Sequence, residues 1–494
     1  MKVLTAGEMR EVDRVTEKLG IPGAILMENA GHRVVEALAA RWPDLSQHRI
    51  VILCGKGANG GDGLVIARQL FTRFKTVSLH VLALDPGEDS AAMRMLQATG
   101  CQVQGELTQD MRAATLVIDA ILGTGLKQAA KGKALEWIRE ISSGFPHAKV
   151  VAVDIPSGMA SDSGSSEGEI ARADLCVTFT ALKMCHALAP NCDSMGEVIL
   201  GKIGSPDHLM SGVKLNLTTP AAFAELLKPR TPDSNKGDYG HALVVGGAEG
   251  KTGAAAMTGL AALRVGVGLA TVASSASGFS TPELMAEPLP RSWRDLELLM
   301  HRKGVLAIGP GLGTAAWAVQ MVRETLANAA QPMVIDADGV NVLAEHTWSA
   351  GDRLRVLTPH PGEMSRLLNT TISDIQADRI GAARAYSNRH GAVVVLKGSR
   401  TVIAFPDGEA WINPTGSPAL AKGGTGDVLT GLIAGMLAQF PHQPKQAVFS
   451  GVYLHGMAGQ CAANQLSERC VLATDVLHYL PEAFRECTRF PDRF

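Results

Sequence analysis

Apolar and polar positions alternate along this chain in blocks, and the same kind of block recurs in both halves. Near the start, Thr5-Ala6-Gly7-Glu8 has the reciprocal polar spacing of a capping box. It predicts a helix to about Leu19, stopped by Gly20, and Pro22 opens a second helix through Met27, Val34, Leu38 and Ala39. Short, nearly unbroken apolar runs follow at 50–54, 77–83, 115–118, 150–153, 175–179 and 198–200, separated by helical stretches or loops. Runs without polar alternation belong to strands buried on both faces, so they predict a parallel sheet with helices on each side.

From 205 to 233 the chain becomes polar and proline-bearing, which predicts a connector. The alternation then restarts with strands at 241–245, 269–273, 305–308, 333–335, 356–357 and 393–396. Residues 400–405 and 409–412 flank Pro406-Asp407-Gly408, a turn signature, and should form a hairpin. The last third is helical at 426–437, 447–465 and 474–480. The expected organisation is two α/β domains, residues 1–214 and 215–494, the first a Rossmann-like αβα sandwich.

Composition narrows the class. The 494 residues exceed one ordinary core, and the formal charge is only −2, from 46 basic and 48 acidic side chains. No long basic run draws the chain to nucleic acid or an anionic membrane. The N-terminus carries no apolar signal segment, and the most apolar stretch, 253–273, is broken by Arg264 and glycines. That stretch reads as a buried helix running into a strand, not a membrane span. Eight cysteines without a C-x-x-C pair suit free thiols in a reducing cytoplasm.

Candidate chemistry sits at the ends of the apolar runs. After the first strand comes Gly55-Lys56-Gly57-Ala58-Asn59-Gly60-Gly61-Asp62-Gly63, read as a loop before a helix from Leu64. Its G-x-G-x-x-G spacing is by itself a weak sign of phosphate binding. Asp119, before Gly123-Thr124-Gly125, and Asp154, before Ile155-Pro156-Ser157-Gly158, end two further strands. Each could be a simple helix cap, but in a doubly wound sheet strand ends converge on one crevice. Asn59, Asp119 and backbone carbonyls could hold a hard cation.

These three segments, with Thr178-Phe179-Thr180-Ala181-Leu182-Lys183, resemble the motifs of the NAD(P)H-hydrate epimerase family. The resemblance implies a potassium ion at Asn59, Asp119 and Ser157. It implies hydrate binding by Ala58, Asn59, Gly60, Gly61 and Asp62, by Gly123, Thr124, Gly125, Leu126, Lys127, Gln128 and Ala129, and by Asp154, which would be the acid/base. Ala58 departs from the pattern, standing where a second Asn is expected.

In the second half, Gly423-Gly424-Thr425-Gly426-Asp427 heads a helix. Amides at such a start form an anion hole for a moving phosphoryl group, and an Asp there can act as general base. Gly246-Gly247-Ala248-Glu249-Gly250-Lys251-Thr252 ends like a P-loop, but Val245 stands where that motif needs its first glycine. It is read instead as a glycine loop on the substrate side.

This half resembles the ribokinase-like fold. Within that fold, Gly309-Pro310-Gly311-Leu312-Gly313, Asp336-Ala337-Asp338 and Leu357-Thr358-Pro359-His360-Pro361-Gly362-Glu363 are similar to the ADP-dependent NAD(P)H-hydrate dehydratases. The resemblance implies nucleotide binding by Lys397, Gly398, Ser399, Arg400, Thr401 and Gly426. Ala255, Gly313, His360 and Asp427 would face the hydrate, although His360 between two prolines could equally be structural.

Together the resemblances imply a cytoplasmic bifunctional repair enzyme for hydrated NADH and NADPH. One domain would epimerise the hydrate with potassium, and the other would dehydrate one epimer with ADP and magnesium. Nucleic acid and membrane are not expected partners, and homo-oligomerisation is left open. Two alternatives compete: a ribokinase-like kinase of a vitamin precursor, and a first domain that is a non-catalytic binding module.

Overall fold

Thr5 opens the first helix as its spacing with Glu8 predicts: its hydroxyl accepts from the Glu8 amide, and the Glu8 carboxylate accepts from the Thr5 amide. That helix, Ala6–Lys18, ends at Gly20 in a left-handed conformation, and Pro22 caps the next, Gly23–Arg41. The computed structural model describes residues 1–74, 77–84, 90–126 and 128–491. It divides into two units, Met1–Val213 and Lys214–Phe494.

In the first unit β1 (Val3–Leu4) is followed by β2 (Arg49–Cys54), β3 (Ser78–Ala83), β4 (Val103–Gln104), β5 (Leu116–Ala120), β6 (Lys149–Val153), β7 (Leu175–Phe179), β8 (Leu182–Lys183) and β9 (Glu197–Gly201). Seven form an all-parallel sheet in the order β4-β3-β2-β5-β6-β7-β9. Its two faces carry separate apolar clusters. Val34, Leu38, Ile66 and Leu70 cover one side with Ile50 and Ile52, while Trp137, Ile138 and Ile141 cover Val51 and Leu53 on the other. Successive strand residues thus face opposite apolar layers.

One element was not anticipated, and one expectation is corrected. The pair β1–β8 forms a small parallel sheet of its own, too short to announce itself by periodicity. The helix expected from Leu64 begins at Ala58, so Gly60, Gly61 and Gly63 occupy its first turns rather than a loop. None of Gly55, Gly57, Gly60, Gly61 or Gly63 has positive φ. A Cβ on Gly60 would stand 1.8 Å from the Gly55 carbonyl oxygen, so close approach dictates the glycine.

The second unit holds β10 (Leu215–Leu217), β11 (His241–Val245), β12 (Leu269–Ser274), β13 (Met285–Pro288), β14 (Val305–Ile308), β15 (Met333–Ile335), β16 (Arg355–Leu357), β17 (Val393–Leu396), β18 (Val402–Ala404) and β19 (Ala410–Ile412). They join as β10-β19-β18-β17-β16-β15-β14-β11-β12-β13. Among the described residues only β17–β18–β19 pair antiparallel, turning through Pro406-Asp407-Gly408 with Gly408 at positive φ. The expected connector contains β10, which lies parallel to β19, and a 3₁₀ segment at Pro220–Leu227. The helix Thr425–Gln439 is buried along nearly its whole length and packs on Thr252–Arg264. The 253–273 stretch is a helix followed by β12. Among the described residues, no helix is long and apolar enough to cross a membrane.

Candidate active sites at the carboxyl ends of the parallel strands

The first sheet reverses its chain order at β2, which lies between β3 and β5. A cleft of about 1310 Å³ opens there. Ala58, Asn59, Asp62, Gly123, Thr124, Gly125, Leu126 and Asp154 all form its wall. Gly60, Gly61, Gln128 and Ala129 lie off that wall, Ala129 against Gly168, and Lys127 lies outside the described residues.

Asp119 is fully buried, and its carboxylate accepts from the amide and hydroxyl of Ser157 at 2.7 and 2.5 Å. Ser157 Oγ accepts in turn from the Leu122 amide at 2.9 Å. Burial pushes Asp119 up to about 6, against the pull of the Ser157 hydrogen bonds. Asn59 borders Gly123, is 7% exposed, and has neither Oδ1 nor Nδ2 partnered. A buried unpaired amide costs about 1–3 kcal/mol, so this one is poised for something to bind.

Asp154 follows β6 with φ of 67°, a left-handed conformation for a non-glycine residue. Its Oδ1 accepts from Thr178 Oγ1 at 2.9 Å and from Lys183 Nζ at 2.5 Å. Lys183 is 2% exposed and completes its three donors on Thr178 Oγ1 and the Phe179 carbonyl. Burial alone would raise Asp154, but Lys183 outweighs it and holds the carboxyl below its ordinary value. His186 ties the pair together: Nδ1 accepts from the Lys183 amide, so Nε2 carries the proton and donates to the Asp154 carbonyl. Burial, with Lys183 nearby, pushes His186 down to about 4, which keeps the ring neutral.

Sequence reasoning did not single out Lys183 as a site residue, nor Asp13 and Arg10 of the first helix, which also line this cleft. Asp13 follows Val12, which is buried, and that charge on an apolar face was the available signal.

The second sheet reverses at β11, between β12 and β14. Gly424, at φ of 93°, caps Thr425–Gln439 and places Asp427 in its first turn. Asp336, buried after β15, accepts from Lys397 Nζ at 2.8 Å, Thr358 Oγ1 at 2.7 Å and Thr430 Oγ1 at 2.8 Å. This bridge holds the ammonium so near the helix start that a Cβ on Gly426 would lie 3.5 Å from it. Burial opposes the charge of Lys397, but Asp336 and Glu363 outweigh burial and raise its pKa. Burial lifts Asp427 to about 6; Asp336 adds to the rise and Lys397 opposes it. Gly398, Ser399, Arg400 and Thr401 continue from Lys397 into β18, with Gly398 and Arg400 at positive φ.

His360 serves the fold: Nδ1 accepts from the Gly362 and Glu363 amides and caps Pro361–Leu368, while half the side chain stays exposed. The Gly313 amide donates to Asp338, which also meets Lys251 at 3.6 Å. Ala255 is fully buried, with its methyl against Gly247. The P-loop lookalike is excluded by its hydrogen bonds. The amides of Gly246, Gly247 and Ala248 donate to the carbonyls of Ala273, Pro310 and Gly311, and no phosphate can use them.

These sites stand in a chain with clear relatives. The family described as NAD(P)H-hydrate dehydratase matches residues 242–482. The YjeF-related protein N-terminus matches residues 23–185. The bifunctional NAD(P)H-hydrate repair enzyme of Moorella thermoacetica is 41% identical, over 98% of this chain and 97% of its own. The chain belongs to the bifunctional NAD(P)H-hydrate repair enzymes. The repair enzyme of Coxiella burnetii is 36% identical over 96% of this chain and 97% of its own. Among solved structures, the ADP/ATP-dependent NAD(P)H-hydrate dehydratase of Bacillus subtilis, co-crystallised with ATP and Mg²⁺, is 35% identical. It covers 55% of this chain and 98% of its own, with a TM-score of 0.50. The pairing of a Rossmann-like with a ribokinase-like α/β unit accords with the fold class expected of a repair enzyme.

Proposed function

We propose that the first unit interconverts the two epimers of hydrated NADH and NADPH, and that the second dehydrates one epimer at the expense of ADP. One observation carries the second assignment: a carboxyl poised near neutrality, Asp427, shares a helix start with the buried ammonium of Lys397. A base, a cation and the amides of Gly424 and Gly426 at the helix start are what phosphoryl transfer to an alcohol requires.

In this reading Asp427 takes the proton of the ring hydroxyl while Lys397, the loop through Thr401 and the amides at Gly424 and Gly426 hold the phosphates. Hydroxide is a poor leaving group near neutral pH, but phosphate is a good one. The neighbouring ring nitrogen expels it, and loss of a proton from the adjacent ring carbon restores the double bond, giving NAD(P)H, AMP and phosphate. Gly313 and the exposed face of His360 border the hydrate. Magnesium accompanies ADP as part of that substrate and neutralises its phosphates.

In the first unit Asp154 is the acid/base, with the hydrate held by residues 58–62 and 123–126. The unpaired Asn59 amide borders Gly123, in the loop whose Leu122 amide donates to Ser157, itself bonded to Asp119. The oxygens of Asn59, Asp119 and Ser157 fit potassium, which binds uncharged and carboxylate oxygens. Bound there, potassium would supply positive charge that anchors the two loops.

The test is recovery of reduced-nicotinamide absorbance from an epimer mixture of hydrated NADH, with and without ADP and magnesium. Full recovery that needs ADP is expected. Recovery stopping at the fraction of one epimer overturns the first assignment. A stable phosphorylated alcohol without free phosphate overturns the second in favour of a kinase.

A further inference from the structure

The cleft of the first unit holds more acid than one acid/base residue needs. The helix Ala6–Lys18 presents Met9, Asp13 and Glu17, at i, i+4 and i+8, to the same cavity that Asp154 and Lys183 enter from β6 and β8. Asp13 lies on that face with its Oδ1 buried and without a hydrogen-bond partner. Its electrostatic neighbours are Lys183, which favours its ionised form, and Asp154 and Glu17, which oppose it. Lys183 has spent all three donors on Asp154, Thr178 and Phe179, so it gives Asp13 charge but no hydrogen bond. A buried, unpaired carboxyl oxygen is costly to keep and is explained if substrate supplies the partner.

We infer that Asp13 is the second acid/base group of epimerisation, working against Asp154 across the bound hydrate. The inference rests on the epimerase reading of this unit. Inversion at a carbon bearing hydroxyl next to nitrogen can proceed by loss and return of water. Neutral Asp13 gives its proton to the hydroxyl; the carbon–oxygen bond breaks as water leaves, and the ring nitrogen's electron pair forms a carbon–nitrogen double bond. Water then adds to the opposite face and gives its proton to ionised Asp154. No oxidant or reductant is consumed. Asp13 ends ionised and Asp154 neutral, which is the starting arrangement for the reverse reaction, as an interconverting enzyme needs. The two carboxyls differ in the required sense: Lys183 holds Asp154 ionised, whereas burial pushes Asp13 up to about 6.

The experiment uses the full chain and the hydrate epimer that the second unit does not consume. Wild type is measured first. If it dehydrates the other epimer but never epimerises this one, the reading of the first unit fails before any variant is made. With wild type active, Asp13→Asn is expected to lower kcat by about 100-fold or more with KM little changed. Its melting temperature should not fall, since no hydrogen bond to Asp13 Oδ1 is lost. Asp13→Ala should regain rate when formate is added, because formate can occupy the vacated carboxyl position. Wild-type epimerisation by Asp13→Asn overturns the inference. So does an inactive Asp13→Ala that formate fails to rescue, since a merely structural role would behave that way.

Discussion

Lys183 and Asp154 form a buried ion pair, Nζ to Oδ1 at 2.5 Å, in which the lysine is 2% and the aspartate 15% exposed. The pair joins β8 to the strained residue after β6, so it fixes a charge and a backbone conformation together.

Removing one partner should cost more than removing both. Lys183→Met strands the carboxylate, and breaking a buried pair from one side costs about 3–5 kcal/mol. Asp154→Asn with Lys183→Met leaves no stranded carboxylate, so it should recover much of that stability while epimerisation stays lost. Thermal melts of the single and double variants check this. A double variant as unstable as Lys183→Met would show that packing, not charge, is at stake.

Asp427→Asn should separate catalysis from stability. Turnover with ADP should fall by about 100-fold or more once the general base is gone. Stability should move the other way. The folded pKa of Asp427, about 6, lies above its ordinary 3.8. Its contribution to stability is therefore complete below pH 4 and lost as pH rises through 6. The asparagine, neutral throughout, should melt above wild type at pH 8 and level with it at pH 3.5. Equal melting at both values would mean that Asp427 is not buried in its charged form.

How far the sequence discloses this depends on the length of each element. The β11, β14, β15 and β17 strands were legible to the residue because unbroken apolar runs end sharply at Gly, Pro, Asp or Lys. The pair Val3–Leu4 and Leu182–Lys183 was not, since two residues carry no period. The exposed edge strand Met285–Pro288 was hidden for the opposite reason, having no buried residue to mark it. Asp119, Asp154 and Asp427 were visible as acids beside glycine at element ends. Asp13 was not, because its role depends on a helix reaching a cleft built from strands that begin only at Arg49.

The glycine run misled in one respect, and the correction can be tested. A helix beginning at Ala58 must pack Gly60 on the Gly55 backbone, where a Cβ would sit 1.8 Å from oxygen. Gly60→Ala should therefore destabilise by about 1–3 kcal/mol, the usual cost of forcing an extra carbon into a packed site. A flexible loop at this place would instead absorb the methyl with no change in denaturation midpoint.

Asn59 gives the clearest reading of the proposed cation site. Without an ion its buried amide is unpaired, so Asn59→Ala should cost little in potassium-free buffer. Adding potassium stabilises any protein that binds it in the folded state alone. Wild type should accordingly gain melting temperature between choline and potassium chloride at equal ionic strength, and Asn59→Ala should gain far less. Loss of a cation ligand should also raise the potassium needed for half-maximal epimerisation by about 10-fold or more. Dehydration of the other epimer with ADP should be indifferent to the substitution. Identical potassium responses in the two proteins, by melting and by rate, would place the ion elsewhere and leave the unpaired amide of Asn59 to the hydrate itself.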